Sequence, residues 1–125
     1  MRNMLNKALC VLLLIPALSF AQDLSTPKPY IIDPLALYAR TVYPEDVTTV
    51  GEAIRYLLEP TGYTLVSAYP APSDAISLIN QRIPPIAKVH RTMPVIDAIQ
   101  LMIGLDNWVV IDRNHKLISV SEKKS

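Results

Sequence analysis

Two copies of one amphipathic helix pattern constrain this chain more than any other feature of its sequence. In the first copy, apolar residues recur at i, i+3, i+4, i+7 and i+8, which places them along one helix face; these are Val50, Ala53, Ile54, Leu57 and Leu58. The same spacing recurs 45 positions later at Val95, Ala98, Ile99, Met102 and Ile103. Coincidence is the alternative to a pseudo-repeat, since amphipathic helices are common. We favour the repeat because a strand-like segment follows each helix.

The ends of these helices carry local signals. Thr49 and Glu52 form a capping-box pair, and Pro60 and Gly62 end the first helix. The second helix is expected to begin near Thr92, with Pro94 in its first turn, and to end at Gly104.

Strands are expected on either side of the helices. Leu35–Tyr43 and Tyr63–Ala68 flank the first helix, and Ile86–His90 precedes the second. Trp108–Asp112 and Lys116–Val120 should form a hairpin in which Asn114 tolerates a positive φ. A short helix is expected between Ser73 and Gln81. The predicted fold class is α+β: a small mixed β-sheet with two helices on one face, built from two β-α-β pseudo-repeats plus a C-terminal hairpin.

The N-terminus has the pattern of a secretory signal peptide. Arg2 and Lys7 precede an apolar run, and Ser19-Phe20-Ala21 predicts cleavage after residue 21. Residues 22–34 read as a proline-rich extended leader, either a spacer or a docking element. Residues 35–120 form the expected domain, and 121–125 form a charged tail. We expect a periplasmic protein whose mature part has no membrane-spanning segment.

Composition argues against several functions. The chain has 12 Lys and Arg against 11 Asp and Glu, without the basic stripe that a phosphate backbone requires, so no nucleic acid is expected. The one cysteine, Cys10, lies within the signal peptide. It therefore supplies no disulfide, thiol nucleophile or lipid anchor to the mature chain.

No catalytic or cofactor-binding pattern is recognisable. His90 and His115 lack partners at metal-ligand spacing, and the adjacent Glu45 and Asp46 are better read as a solvated turn. Tyr63 and Trp108 suit the core, with ligand stacking as the alternative. We therefore expect no enzyme activity and no cofactor, and we place function in association. The last strand is the candidate edge for a partner, through Lys116, Ile118 and Val120.

The repeat also resembles a known family. The residues from Thr49 to Leu58, followed by Thr61-Gly62-Tyr63-Thr64-Leu65, resemble the PilL family of integrating conjugative elements and type IVB pilus operons. A second block is similar as well, from Ile83-Pro84 through His90-Arg91 to Trp108. The two-unit pattern further resembles the small STN-like domains found at the N-termini of secretins and TonB-dependent receptors.

These resemblances imply a role in the cell envelope. They imply a non-enzymatic periplasmic component of a type IVB or conjugative pilus biogenesis system that contacts the secretin or another envelope subunit. The alternative is a free-standing signalling domain that relays between an outer-membrane receptor and an inner-membrane partner. Because the lipoprotein cysteine of many family members is missing here, an outer-membrane association would run through a partner protein.

Overall fold

The structure is a computed structural model that describes residues 32–123, so the predicted signal peptide, most of the leader and the last two residues of the tail lie outside the described part. Eight elements follow in chain order: β1 (Tyr38–Arg40), α1 (Val50–Leu58), β2 (Thr64–Leu65), α2 (Ala75–Ile79), β3 (Thr92–Pro94), α3 (Val95–Ile103), β4 (Trp108–Asp112) and β5 (Leu117–Ser121). Three short 3-10 turns lie at Pro34–Ala36, Glu59–Thr61 and Pro85–Lys88.

The strands form two small sheets. In the first, β1 pairs antiparallel with β3, with Ala39 opposite Met93. In the second, the order is β2-β5-β4, where β2 runs parallel and β4 antiparallel to β5. The predicted α+β class, the mixed sheet and the C-terminal hairpin are therefore confirmed, and the strands divide between two sheets.

The repeated apolar stripes form the core. Helices α1 and α3 pack against each other, and all ten stripe residues are buried. Ile54 and Ile99, which occupy equivalent positions of the two patterns, are both fully buried. Burying a side chain of this size contributes about 1.5–3 kcal/mol, and the stripes supply ten of the twenty buried apolar residues of the described core.

Local side-chain contacts fix the start and end of α1. The Glu52 N–H donates to Thr49 Oγ1 at 3.3 Å, while Thr48 N–H donates to Glu52 Oε2 at 3.2 Å. The predicted capping box is present, but the hydrogen bond to the Glu52 side chain comes from the N–H of Thr48 instead of that of Thr49. Gly62 ends the following 3-10 turn at φ 78°, a left-handed conformation that favours glycine.

Gly51 allows α1 to approach α2 closely. A Cβ atom at this position would lie 3.1 Å from both Cβ and the carbonyl oxygen of Ile79. The short helix predicted between Ser73 and Gln81 is present as α2, and its Ala75, Leu78 and Ile79 are buried.

Three element boundaries differ from the sequence prediction, each because of a proline. Pro34 begins a 3-10 turn, capped by Asp33 at 3.1 Å from the Leu35 N–H, so β1 is shorter than predicted. The expected strand at Ile86–His90 is wrong, because Pro85 begins a 3-10 turn there. Pro94 has ψ 144° and ends β3, so α3 begins at Val95 rather than near Thr92.

The prediction that the last strand forms an edge of its sheet is wrong. β5 is the central strand of its sheet and pairs with β2 on one side and β4 on the other. Lys116, rather than Asn114, has the positive φ of the hairpin turn, at 53°. Within the described residues, no helix has the length and apolar character required to cross a bilayer.

Candidate functional site

The residues predicted to bind a partner do not form an accessible edge. Ile118 and Val120 have no exposed surface, and only Lys116, in the turn, is exposed. Both edges of β5 are already hydrogen-bonded, so it cannot receive another strand. Among the described residues, the edge strands are β1 and β3 in the first sheet and β2 and β4 in the second.

The outer edge of β1 presents backbone groups that pair with no residue in the part of the chain that the structure describes. Hydrogen bonds from Val95 N–H to Leu37 C=O and from Thr41 N–H to Arg91 C=O, both 2.8 Å, extend the β1–β3 ladder at its two ends. In an antiparallel ladder, every second residue of a strand directs its N–H and C=O to the partner strand. Leu37, Ala39 and Thr41 therefore face β3. The backbone groups of Tyr38 and Arg40 point away from it.

These outward backbone groups border a groove. Its volume is about 900 Å³, and it lies between β1 and the last turn of α1 with the 3-10 turn that follows. Tyr56 and Glu59 line the helix side, and His90 lines one end. The ring of Tyr43 makes an edge-to-face contact with the ring of Tyr56 on the helix side of the groove, and the two ring centroids are 6.0 Å apart. The groove is thus a channel between a strand edge and a helix.

The groove carries exposed apolar side chains. Tyr38 is 72% exposed, Tyr56 42% and Val42 40%, although aromatic and branched residues usually lose more of their surface on folding. A strand added along β1 would cover part of each. Exposed apolar surface beside unpaired backbone groups is typical of a surface that binds an extended peptide.

Three cationic side chains lie toward one end of this sheet, where the grooves are also lined by Glu45 and Glu59. Arg40 and Arg91 lie in or next to paired strands, and Lys88 lines a second groove that shares His90 with the first. None of the three cations forms an ion pair with another described residue. They are available to a partner carboxylate.

The opposite edge of the same sheet is protected. Pro94 lies across from Tyr38, and its missing N–H would have pointed away from β1. Proline on an edge discourages strand addition because it cannot donate a hydrogen bond. The sheet therefore has one receptive edge, on β1.

The remaining sequence candidates do not form a catalytic cluster. His90 is an exposed loop residue, as predicted, and Glu45 and Asp46 form the predicted solvated turn. His115 Nδ1 lies 2.9 Å from Asp112 Oδ2, and this hydrogen bond lowers the pKa of Asp112. Among residues 32–123, no group of three His, Cys, Asp or Glu side chains is arranged to hold a metal ion.

The aromatic residues that open β2 and β4 differ in burial. Tyr63 is buried, as predicted. The prediction was wrong for Trp108, which is 58% exposed with the Lys123 Nζ 5.9 Å from its ring centroid. Trp108 faces outward because β4 directs Val109 and Ile111 toward the core.

Sequence reasoning missed the β1 edge. The alternation of Leu35–Tyr43 predicts a strand, and it places Tyr38 and Arg40 on one face. The signals that could have located the site are an arginine at the end of the short strand β1 and a proline in its partner strand β3.

Comparison with protein-family models, with curated proteins and with solved structures found no match to this chain. The features of this chain that bear on its function are the geometry of the β1 edge and the resemblance of its sequence to PilL and STN-like domains.

Proposed function

We propose that this chain is a non-enzymatic periplasmic component of a type IVB or conjugative pilus biogenesis system. In this proposal it binds the secretin or another envelope subunit by accepting an extended segment along β1. The observation that carries the proposal is the outward backbone of Tyr38 and Arg40 beside the groove. The signal-peptide pattern and the resemblance to PilL and STN-like domains support the compartment and the apparatus.

Strand addition suits this groove physically. The main-chain hydrogen bonds of an added strand supply affinity, and alternate side chains of the peptide supply specificity. One set of side chains would pack on Tyr38 and Tyr56. Because Arg40 and Arg91 have no acidic partner among the described residues, a carboxylate in the incoming segment would be favoured at that end.

A proline substitution tests the edge without removing the ladder. Arg40→Pro deletes an N–H that points into the groove, whereas the β1–β3 hydrogen bonds are made by Ala39 and its alternate neighbours. Arg40→Lys is the matched control because it keeps both the N–H and the charge. Ala39→Pro removes a ladder bond instead and is expected to destabilise the domain.

The test is made in cells that carry the chain at its native locus. Surface pili are counted, mating efficiency is measured, and the secretin is co-purified with the chain. Deletion and Arg40→Pro should both abolish piliation and secretin capture, while Arg40→Lys should retain them. Circular dichroism on the purified variants confirms that each is folded.

Two results would overturn the proposal. Wild-type piliation and transfer in the deletion strain would exclude the pilus role; loss of receptor-dependent signalling in the same strain would then support the alternative relay function. A folded Arg40→Pro protein that captures the secretin normally would show that β1 is not the binding edge.

A further inference from the structure

A second, independent edge lies on β4. The Thr64 N–H donates to the Lys116 carbonyl at 3.0 Å, and the Val66 N–H donates to the Ile118 carbonyl at 2.8 Å. The backbone groups of Ile118 therefore face β2, and those of its neighbours Leu117 and Ser119 face β4.

The same alternation identifies the free groups of β4. Val110 pairs with Ser119, so its backbone faces β5, as do those of Trp108 and Asp112. The N–H and C=O groups of Val109 and Ile111 point outward, along an edge that no described strand covers. β4 thus offers unpaired hydrogen-bonding groups along a strand longer than β1.

This edge lacks the usual protection against self-pairing. Natural edge strands carry lysine, proline or a bulge. From Trp108 to Ile111 the strand has no charge and no proline, and on its outer face Trp108 is 58% and Val110 44% exposed. Asp112 at its end is the only charged residue of β4.

We propose that β4 is a homodimer interface, in which two copies pair their β4 strands antiparallel and join their sheets. The register that pairs all of β4 places Val110 on the two-fold axis, opposite Val110 of the other copy. It also places Trp108 of each copy opposite Asp112 of the other, with side chains on the same face.

Charge complementarity supports a second copy as the occupant. Lys123 lies over the Trp108 ring, where the Asn107 side chain accepts a hydrogen bond from the Lys123 N–H at 3.4 Å. In the dimer this ammonium group would lie beside Asp112 of the other copy, and the two-fold axis makes the contact twice. Within the paired strands no like charges face each other, because Asp112 is the only charged residue of β4.

Disulfide trapping tests the register directly. In the proposed register, the two copies of Val110 form a non-hydrogen-bonded antiparallel pair. The Cα atoms of such a pair are about 4.5 Å apart, which is within the range that a disulfide spans. In a Cys10→Ser background, the Val110→Cys protein should be converted almost completely to a disulfide-linked dimer that a reducing agent separates. Trp108→Cys is the matched control, since its two copies would be about 13 Å apart. Mixing Trp108→Cys with Asp112→Cys should form the mixed dimer.

Sedimentation measures the association without a cross-link. The unmodified protein should shift from monomer to dimer mass with rising concentration. Val110→Lys should weaken dimerisation at least about tenfold, because two ammonium groups would meet at the axis. Lys123→Glu should weaken it severalfold by facing Asp112. Both positions are exposed, so the variants should fold.

A monomer at all concentrations, or equal cross-linking of Val110→Cys and Trp108→Cys, would overturn the proposal. Unlike the binding proposed for β1, this association should survive Arg40→Pro, so each proposal can fail without the other.

Discussion

Replacing the buried Thr41 tests how the β1 edge is held in position. Its hydroxyl donates to the Val89 carbonyl at 2.7 Å and accepts the Arg91 N–H at 2.8 Å. Thr41→Val keeps the shape of the side chain and removes both bonds. The backbone N–H of Arg91 and the carbonyl of Val89 then lose the hydrogen bonds that they make with this hydroxyl.

The expected cost follows from those two bonds. Each is worth about 1 kcal/mol net, so Thr41→Val should lower the free energy of unfolding by about 2 kcal/mol. Thr41→Ser keeps the hydroxyl and loses one methyl group, at a cost of about 1 kcal/mol. Serine should therefore be the milder substitution, although valine is the better strand former.

Urea unfolding followed by circular dichroism measures both variants under the same conditions. The midpoint should fall further for valine than for serine, with an unchanged slope. Equal stability of wild type and Thr41→Val, or a larger loss for serine, would show that these hydrogen bonds do not hold the strand.

Three further predictions concern other parts of the fold. Lys116→Gly should raise the free energy of unfolding by about 0.5–1 kcal/mol in thermal or urea unfolding, because Lys116 has φ 53°; a loss of stability would contradict this. Tyr43→Phe should raise the free energy of unfolding by about 1 kcal/mol, because the Tyr43 hydroxyl is buried and has no hydrogen-bond partner among residues 32–123. Burial raises its pKa to about 12 from 10.0, so wild-type stability should decline as pH rises through 10 toward 12, and an identical decline in Tyr43→Phe would refute the assignment. The hydrogen bond from His115 lowers the pKa of Asp112 below 3.8, so the stabilising contribution of the Asp112 carboxylate should be present above pH 3.8 and lost as the pH falls through the folded-state pKa. Asp112→Asn should remove this part of the acid dependence of stability. An acid profile identical to that of the wild type would contradict this prediction.

The helices could be predicted because local rules determine them. The 3.6-residue period located the stripes of α1 and α3, and Thr49 and Gly104 marked where one begins and the other ends. Prolines were harder to interpret. The sequence pattern places Pro94 in the first turn of a helix, but its extended conformation makes it the last residue of β3.

The order of strands could not be read from the chain. β5 comes last in sequence, which suggested an edge, but its parallel pairing with the distant β2 places it in the centre. Serines alternate along β5 at positions 119 and 121, a pattern typical of a strand with one solvated face. Ser119 is instead buried, and its hydroxyl donates to the Val66 carbonyl at 2.6 Å. Pairing between strands that are far apart in sequence leaves no local signal in the chain. The candidate site is therefore on β1 and not on β5.

Hydrogen exchange at single backbone amides tests most directly whether β1 is a receptive edge. In the free protein, the amides of Tyr38 and Arg40 should exchange rapidly, while those of Ala39 and Thr41 should be protected by β3. On addition of the secretin's periplasmic domains, Tyr38 and Arg40 should become protected. A complex that forms while these two amides still exchange rapidly would contradict strand addition at β1.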